Sequence, residues 1–242
     1  RSPSDPSNYR PILLTCIACK LLEHVIYSCI ATHLDQNSFF FSNQHGFRRG
    51  LSCETQLYEF STDLHFNLDS SFQTDVIYLD FSKASDRVPH RRLISKLSCL
   101  SIDPLALSWI KNFLTSRVQY TVVTNNESTR VDVVSGVPQG SVLGPLLIII
   151  FINDIPDKIL STIRLFADDC VLYRRISCCT DQITLQNDLS NIHNWCSRWL
   201  MQLNTQKCKF MQVSCKRTNF SFQYSVNFQT TQVDSYRYLG VK

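Results

Sequence analysis

The stretch RLFADDCVLY, Arg164–Tyr173, is apolar at both ends and carries two adjacent aspartates in its middle. Two short strands joined by an acidic turn account for this pattern better than a helix does. A second run, VIYLDF at Val76–Phe81, is rich in β-branched and aromatic residues and predicts a buried strand. We therefore expect a hairpin that turns at Asp168 and Asp169, beside a strand that carries Asp80 near its end.

Helices are predicted wherever apolar residues recur at helical spacing. They cover residues 19–34, 54–68, most of 90–114, a stretch that ends near 151, and a segment through 185–203 that Thr180 or Asp181 can cap. Further strands are predicted at 207–213 and 236–241, and the runs 119–123 and 129–134 are typical of a hairpin. This mixed order indicates an α+β fold with a small antiparallel sheet.

Composition sets limits on size and class. The chain has 242 residues, enough for one large or two small domains, and its net charge of +4 permits a nucleic-acid partner without arguing for one alone. The longest apolar run, Val142–Ile152, is about half of the roughly 20 residues that a spanning helix needs. We therefore expect no transmembrane segment. The sequence shows no basic-then-apolar leader, so we also expect no secretory signal.

The cysteines carry a prediction about the redox environment. There are 11 of them, and the Cys16–Cys19 pair has no second pair at zinc-ligand spacing. Buried, reduced thiols account for this pattern better than disulfides or a metal site. We therefore expect an intracellular, reducing environment.

The aspartates at 80, 168 and 169 need an explanation, because an unpaired carboxylate inside an apolar strand is costly. Each of them could cap a turn or pair with a nearby arginine. Taken together, two neighbouring strands would bring three acidic oxygen donors to one point, where Mg²⁺ is the cation that such ligands prefer. Two such ions about 4 Å apart favour phosphoryl or nucleotidyl transfer.

Several sequence blocks, in this order and spacing, resemble the reverse transcriptases of non-LTR (LINE-like, jockey-type) retrotransposons. The blocks are NYRPI (8–12), NQHGFRRGLSCETQL (43–57), VIYLDFSKASDRVPH (76–90), SGVPQGSVLGPLL (135–147), LFADDCVLY (165–173), WLMQLNTQKCKFM (199–211) and YRYLGV (236–241). The resemblance covers residues 8–242. It implies an RNA-directed DNA polymerase, which transfers a nucleotide from a dNTP to a primer 3′-hydroxyl.

The resemblance also implies an architecture, the fingers and palm of a right-hand polymerase without the thumb. The palm is then a small antiparallel sheet backed by helices. The expected divisions are the N-terminal part of the fingers over 1–73, the first catalytic strand of the palm over 74–92, a connection with a hairpin over 93–135, and the palm with its nucleotide-binding turn, catalytic hairpin and final strand over 136–242.

Metal ligands follow from the same resemblance. Asp80 and Asp168 match the aspartates that ligate both catalytic Mg²⁺ ions, with Mn²⁺ as a possible substitute. Asp169 matches the second aspartate of the pair, whose role in metal binding is less direct. The backbone carbonyl of Phe81 would complete the coordination shell.

Other positions match residues that contact the nucleotide or the template. Gln139 and Gly140 fall in the turn that packs beside the incoming nucleotide. Basic residues that match phosphate contacts are Arg10 and Lys20 for the triphosphate, Lys207 for protonation of the leaving pyrophosphate, and Arg48 and Arg49 for the template backbone. For Arg10, Lys20 and Lys207 a solvated surface charge is an equally good interpretation.

Ser85 departs from the family pattern, which usually has an aromatic residue here, in LDFSKAFD rather than LDFSKASD. In related polymerases that ring excludes the ribose 2′-hydroxyl. Two hypotheses follow: an active enzyme with poor sugar discrimination, or an inactive retroelement remnant that retains only its fold and RNA binding. An RNA-dependent RNA polymerase is a further rival, which the VPQG and FADD blocks disfavour.

The partners that the resemblance implies are an RNA template, a DNA or RNA primer and dNTPs, with no membrane. The matched region stops before the thumb, and no endonuclease region precedes it, so we expect low processivity. We also expect a ribonucleoprotein in the nucleus, the cytoplasm or both.

Overall fold

The computed structural model describes residues 13–115, 117–123 and 126–241. These residues form two compact units. The first unit combines the chain up to Phe39 with Ser85–Phe151, and the second combines Phe40–Ala84 with the chain from Ile152 onward. Arg10 lies outside the described residues.

The helices agree closely with the sequence pattern. They are α1 (Ile17–Gln36), α2 (Cys53–Asp69), α3 (Ala84–Arg87), α4 (His90–Ser98), α5 (Pro104–Leu114), α6 (Leu143–Ile152) and α7 (Cys179–Trp199), with a 3₁₀ turn at Ile155–Lys158. Helices α4 and α5 divide the predicted stretch 90–114, and Asp103 caps α5 by accepting from the backbone N–H groups of Leu105 and Ala106. None of the helices in the described ranges is long and apolar enough to cross a membrane.

The strands build one five-stranded sheet in the second unit. Their bounds are β1 (Gln73–Asp80), β6 (Thr162–Phe166), β7 (Asp169–Ile176), β8 (Lys209–Val213) and β9 (Thr231–Gln232), in the order β6-β7-β1-β8-β9. The first four strands are antiparallel, and β9 joins β8 in parallel. The sheet is therefore mixed at its edge and antiparallel where the aspartates lie.

The first unit contains a separate hairpin. Short strands β2 (Val118–Gln119) and β5 (Val131–Asp132) pair outside β3 (Val122–Val123) and β4 (Asn126–Glu127). All eight residues are exposed, so this hairpin contributes little to a core. Its position confirms the hairpin that the sequence predicts.

An aromatic cluster holds α2 against one face of the sheet. Phe60 of α2 makes edge-on contacts with Tyr78, Tyr173 and Tyr238, at ring-centroid distances of 6.4, 5.2 and 5.6 Å. Such edge-to-face pairs are favourable beyond the area that they bury. Because Tyr78 lies two residues before Asp80, the cluster fixes the strand that carries this aspartate.

A buried arginine, paired with two half-exposed carboxylates, ties α2 to β6 and β7. Arg164 of β6 is 7% exposed, and its guanidinium donates to Glu59 and, at 2.8 Å, to Asp63. Its Nε donates to the hydroxyl of Tyr173 in β7 at 2.7 Å. Breaking one partner of such a buried group leaves the other charge unpaired, so we expect this network to keep α2 and the β6–β7 hairpin in one register.

Two details of the end of the chain differ from the expectation. Residues 236–241 form a turn with a single bridge between Tyr238 and Val241, not a strand, because Leu239 and Gly240 have φ values of 47° and 88°. Strand β9 was not predicted.

The cap of α7 also differs from the expectation. Cys178 is the N-cap residue, and Asp181 supports it from the first turn by accepting from the backbone N–H groups of Ser177 and Cys178.

The prediction that the cysteines are buried is wrong for most of them. All 11 are free, and among them only Cys170, Cys196 and Cys208 are buried. Cys16 and Cys19 are exposed at the start of α1. An apolar run predicts burial only when a neighbouring element covers it, which the sequence pattern does not reveal.

Candidate catalytic site

Strand pairing brings the predicted aspartates together at one end of the sheet. Asp80 is the last residue of β1 and pairs directly with Asp169, the first residue of β7. Directly opposed residues of an antiparallel pair place their side chains on the same face. Asp168 lies in the two-residue turn between β6 and β7. The register thus brings the three aspartates to the same end of the sheet.

The two carboxylate oxygens of Asp80 have different environments. Oδ2 accepts from Lys207 Nζ at 2.9 Å, and the backbone oxygen of Asp80 accepts from Asn204 N at 2.7 Å. Oδ1 is buried and has no hydrogen-bond partner among the described residues. A buried carboxylate oxygen without a partner is costly, so Oδ1 marks a position where a cation would be stabilised.

Phe81 continues β1 beyond Asp80 and is held by the segment before β8. Asn204 N donates to Asp80 O and Ser82 N donates to Gln202 O, both at 2.7 Å, which pairs Phe81 with Leu203. The Phe81 ring is 3% exposed and meets Trp195 edge-on at 6.1 Å. The backbone at the aspartate is therefore fixed from both sides.

The donor chemistry suits a hard divalent cation, since three carboxylates are the oxygen ligands that Mg²⁺ prefers. Within the described ranges, no group of three or more His, Cys, Asp or Glu residues is arranged to hold a metal ion. Lys207, with its side chain 47% exposed, supplies the positive charge beside Asp80. The residues fit a metal site in chemical type, and the unpartnered Oδ1 of Asp80 is the observation that supports it.

Tyr236 is part of this site, although the sequence analysis assigned it no role. Its ring stacks on Tyr78 at 4.1 Å. Burial, together with the negative charges of Asp80 and Asp169, raises the pKa of Tyr236 to about 12. A cavity of about 50 Å³ is lined by residues of β1, β7 and this terminal turn, including Tyr78, Asp169 and Tyr236. The terminal turn therefore lies beside the aspartates.

In the first unit, a second turn carries Gln139 and Gly140. Gly136 and Gly140 have φ values of 87° and 92°, which glycine adopts without strain. The backbone of the turn is bonded to the segment of α3: Val137 N donates to Ser85 O at 2.7 Å, and Gly136 N donates to Val88 O at 2.8 Å. Ser85 thus helps to hold the turn through its backbone.

Asp86 was missed by the sequence analysis. Its carboxylate accepts from Gln139 Nε2, and its backbone oxygen accepts from Ser135 Oγ at 3.0 Å. A Cβ on Gly136 would lie 2.7 Å from Asp86 O, so only glycine permits this approach. Asp86 orients the Gln139 amide, and it could not be singled out because it follows an ordinary polar run.

The basic residues are spread over both units. Lys20 is exposed on α1 of the first unit. In the second unit, the guanidinium of Arg48 stacks over the ring of Phe40 at 4.2 Å, and Arg49 is exposed beside Gly50. Lys207 donates to the carboxylate of Asp80. The phosphate-contact roles of Arg10, Lys20, Arg48 and Arg49 stay predictions.

Comparison with known proteins identifies the family. The sequence model of the family described as "Reverse transcriptase (RNA-dependent DNA polymerase)" matches residues 2–242. The chain is 32% identical over 84% of its length to the probable RNA-directed DNA polymerase from transposon BS of Drosophila melanogaster. It is 30% identical over 100% of its length to the RNA-directed DNA polymerase from mobile element jockey of the same organism. The chain spans 23% and 27% of these two relatives.

Solved structures confirm the fold. Telomerase from Candida albicans, in complex with a fragment of telomeric RNA, superposes with a TM-score of 0.58 at 13% identity, over 88% of this chain and 39% of that one. Apo telomerase from Candida tropicalis gives 0.56 at 11% identity, over 88% and 46%. The predicted α+β fingers-and-palm fold and the kinship with non-LTR retrotransposon polymerases are confirmed. The chain belongs to the reverse transcriptase (RNA-dependent DNA polymerase) family.

Proposed function

We propose that this chain is the catalytic part of an RNA-directed DNA polymerase. The reaction is attack of a primer 3′-hydroxyl on the α-phosphate of a dNTP, which forms a phosphodiester bond and releases pyrophosphate. One observation carries the proposal: the β1–β7 register opposes Asp80 to Asp169 with Asp168 in the adjacent turn, while Oδ1 of Asp80 is buried without a partner. The family to which the chain belongs has this activity.

Reverse transcriptases generally use divalent metal ions, and Asp80, Asp168 and Asp169 are the residues that would hold them here. We propose two Mg²⁺ ions, with Mn²⁺ as a substitute. When bound, such ions lower the pKa of the attacking hydroxyl and stabilise the charge that develops on the leaving group. The Phe81 carbonyl is the further oxygen donor that the family pattern implies.

Side chains of this chain carry the remaining tasks. Lys207 neutralises Asp80 before a cation is bound, and then its ammonium is placed to donate a proton to the leaving pyrophosphate. Gln139, oriented by Asp86, contacts the incoming nucleotide, and Gly140 permits close approach of the backbone. Arg10 and Lys20 bind the triphosphate.

An RNA template and a DNA or RNA primer are the proposed partners. Arg48 and Arg49 would contact template phosphates, which position a strand without reading its sequence. We further propose low processivity for these 242 residues on their own, and an intracellular ribonucleoprotein as the working form.

Primer extension on an oligo(rA) template with an oligo(dT) primer, Mg²⁺ and either dTTP or UTP tests the function. Asp168→Asn should lower extension by at least about a thousandfold, because an electrostatic contribution to the transition state is lost. Asp69→Asn, at an exposed aspartate that ends α2, is the matched control and should extend normally. Extension by folded Asp168→Asn at the wild-type rate would contradict the site.

An inactive remnant that binds RNA is the second candidate. The ion pair between Lys207 and Asp80 favours it, since this pair satisfies one carboxylate oxygen without a metal ion. The same experiment separates the two functions. A folded chain that retains oligo(rA) on a filter but extends no primer with Mg²⁺ or Mn²⁺ would support the remnant. A preference for UTP over dTTP would identify an RNA polymerase, whereas use of both fits a DNA polymerase with poor sugar discrimination.

A further inference from the structure

The segment Asn43–Gly46 lies against the end of β6, immediately before the aspartate turn. Its backbone continues the sheet there: His45 N donates to Leu165 O and Leu165 N donates to Asn43 O, both at 2.9 Å. Gln44 pairs with Leu165 in parallel. This places the side chain of Gln44 beside the residues that follow Leu165.

The Gln44 amide binds both backbone polar groups of Ala167, the residue before Asp168. Oε1 accepts from Ala167 N at 2.9 Å, and Nε2 donates to Ala167 O at 3.3 Å. Oε1 also accepts from Gly46 N at 2.8 Å, and Gln44 as a whole is 1% exposed. One buried amide thus satisfies three backbone groups, none of which could reach water instead.

Ala167 has a conformation that needs such support. Its φ is 51°, in the left-handed region that residues with a Cβ rarely adopt. The backbone at this residue sets the direction in which Asp168 leaves β6. A non-glycine residue persists in this conformation only when the surrounding structure imposes it.

Gly46 makes the close approach possible. A Cβ at this position would lie 2.1 Å from Ala167 N and 2.8 Å from Phe166 C, so a side chain would collide with the backbone of the turn. His45, between Gln44 and Gly46, is buried, and its Nδ1 lies 2.8 Å from Thr55 Oγ1 of α2. The segment is therefore held from α2 on one side and holds Ala167 on the other.

We propose that Gln44 is a positioning residue for the catalytic aspartates: its amide holds Ala167 in the left-handed conformation and so directs the Asp168 carboxylate toward the divalent cation. This inference rests on the proposed polymerase function. It assigns to the NQHG segment a task at the metal site, separate from the phosphate contacts expected of Arg48 and Arg49.

Gln44→Met tests the inference, because methionine has nearly the same length but cannot bond Ala167. The matched control is Gln182→Met in α7, where the amide is also 1% exposed but donates to Asp75 Oδ2 and Phe220 O. Both variants lose buried hydrogen bonds in the second unit. Only Gln44→Met should lower kcat for dTTP, by about tenfold to a hundredfold, and raise the Mg²⁺ concentration for half-maximal extension, with the KM for dTTP within about twofold.

A second measurement needs no turnover. Mg²⁺ or Mn²⁺ should raise the thermal unfolding temperature of the wild type and of Gln182→Met, since a ligand that binds the folded state stabilises it. Gln44→Met should lose this metal-dependent rise, as Asp168→Asn should. An undiminished rise in Gln44→Met would overturn the inference.

A third variant separates the conformation of Ala167 from a general loss of packing. Glycine adopts positive φ without strain, so Ala167→Gly needs less support from Gln44. The double variant Gln44→Met/Ala167→Gly should regain several-fold activity and metal response over Gln44→Met. Equal losses in the single and double variants would overturn the inference.

The outcomes distinguish this inference from the proposed function. If the wild type extends primers and both methionine variants are impaired alike, the polymerase stands and the positioning role of Gln44 fails. If the wild type extends no primer but shows a metal-dependent rise in unfolding temperature that Gln44→Met abolishes, the role of Gln44 stands and the polymerase function fails. No metal response in an extending wild type would also overturn the role of Gln44.

Discussion

The aspartate turn at 166–169 and the glycine turn at 136–140 both use positive φ, but different features hold the chain there. In the glycine turn the residues at positive φ are Gly136 and Gly140, at 87° and 92°. In the aspartate turn the residue is Ala167, at 51°, and the amide of Gln44 bonds both of its backbone groups. One turn depends on its own residues and the other on a segment that lies more than 100 residues earlier in the chain.

The two turns differ in what keeps a residue at positive φ: the preference of glycine itself in one, and hydrogen bonds from another segment in the other. A left-handed alanine costs about 1–2 kcal/mol, whereas glycine populates this region freely. The hydrogen bonds of Gln44 offset that cost only while α2 and the segment 43–46 are packed in place. Precise placement of Asp168 therefore depends on the folded second unit, while the glycine turn needs only its own sequence and the backbone bonds to Ser85 and Val88.

The largest expected effect comes from Gly46→Ala, which disrupts the aspartate turn. The new Cβ would lie 2.1 Å from Ala167 N, so we expect a loss of about 3 kcal/mol or more in unfolding free energy and no detectable primer extension. Urea unfolding and extension on oligo(rA) measure the two effects.

The matched control for that variant is Gly50→Ala. Gly50 also has positive φ, at 76°, but no atom of the described residues lies within 4 Å of the Cβ position. We expect a loss of about 1–2 kcal/mol from strain alone, with extension retained. Equal effects of the two substitutions would contradict the close approach of the segment to the aspartate turn.

The next largest effect is expected from a substitution at Ser85, in the segment that holds the glycine turn. Ser85→Phe adds a ring while keeping the backbone bond from Val137 N to Ser85 O. If the ring excludes the ribose 2′-hydroxyl, the preference for dTTP over UTP should rise by about tenfold or more. The ratio of kcat/KM values on oligo(rA) measures it, with Ser85→Ala as the control that should keep the wild-type ratio. An unchanged ratio in an active Ser85→Phe enzyme would refute the steric explanation.

A smaller effect is expected at Asp86. Asp86→Leu removes the acceptor of Gln139 Nε2, so the amide loses its orientation. We expect the KM for dTTP to rise about fivefold, equivalent to one net hydrogen bond of about 1 kcal/mol. Asp86→Asn keeps a carbonyl oxygen at the same position and should stay near the wild-type KM. A raised KM in Asp86→Asn with a normal one in Asp86→Leu would reverse the assignment.

The smallest expected effect is a dependence of folding stability on pH, caused by His45 in the segment that holds the aspartate turn. Burial lowers the pKa of His45 below its ordinary value of 6.5, an effect that Glu59 opposes and that Arg164 and Arg48 reinforce. The unfolded chain then binds a proton that the folded chain does not, so stability falls as the pH drops below about 6.5. Thermal unfolding at several pH values between about 7.5 and 5.5 measures this.

Substitution identifies the group responsible for that dependence. His45→Gln should flatten the fall in unfolding temperature between pH 7.5 and 5.5, because glutamine does not titrate. His65→Gln, at an exposed position of α2, should leave the slope as in the wild type. The same slope in His45→Gln and the wild type would show that another group titrates.

Much of the candidate site could be predicted from the sequence. Charged residues inside apolar, β-branched runs are rare enough to mark Asp80, Asp168 and Asp169, and the strand–turn–strand pattern around them is local. Lys207 was predicted from its place in a block that resembles the family, and the structure bonds it to Asp80. The burial of the cysteines was predicted wrongly, because burial depends on which faces find partners.

Gln44, Asp86 and Tyr236 could not be predicted in the same way. A glutamine in a polar, glycine-bearing loop is normally solvated, and only the 1% exposure of Gln44 in the folded chain shows otherwise. Tyr236 comes near the aspartates through the terminal turn, where the expected strand is absent. These roles follow from contacts between residues distant in sequence.

The sequence by itself determined the strands β1, β6, β7 and β8, the glycine turn and the acidic positions, because apolar runs and glycine at positive φ act through local backbone preference and burial. The tertiary structure alone decided the register that opposes Asp80 to Asp169, the bond between Lys207 and Oδ2 of Asp80, and the support of Ala167 by Gln44. These features depend on hydrogen bonds between segments far apart in the chain. Such bonds depend on the packing that brings the two segments together.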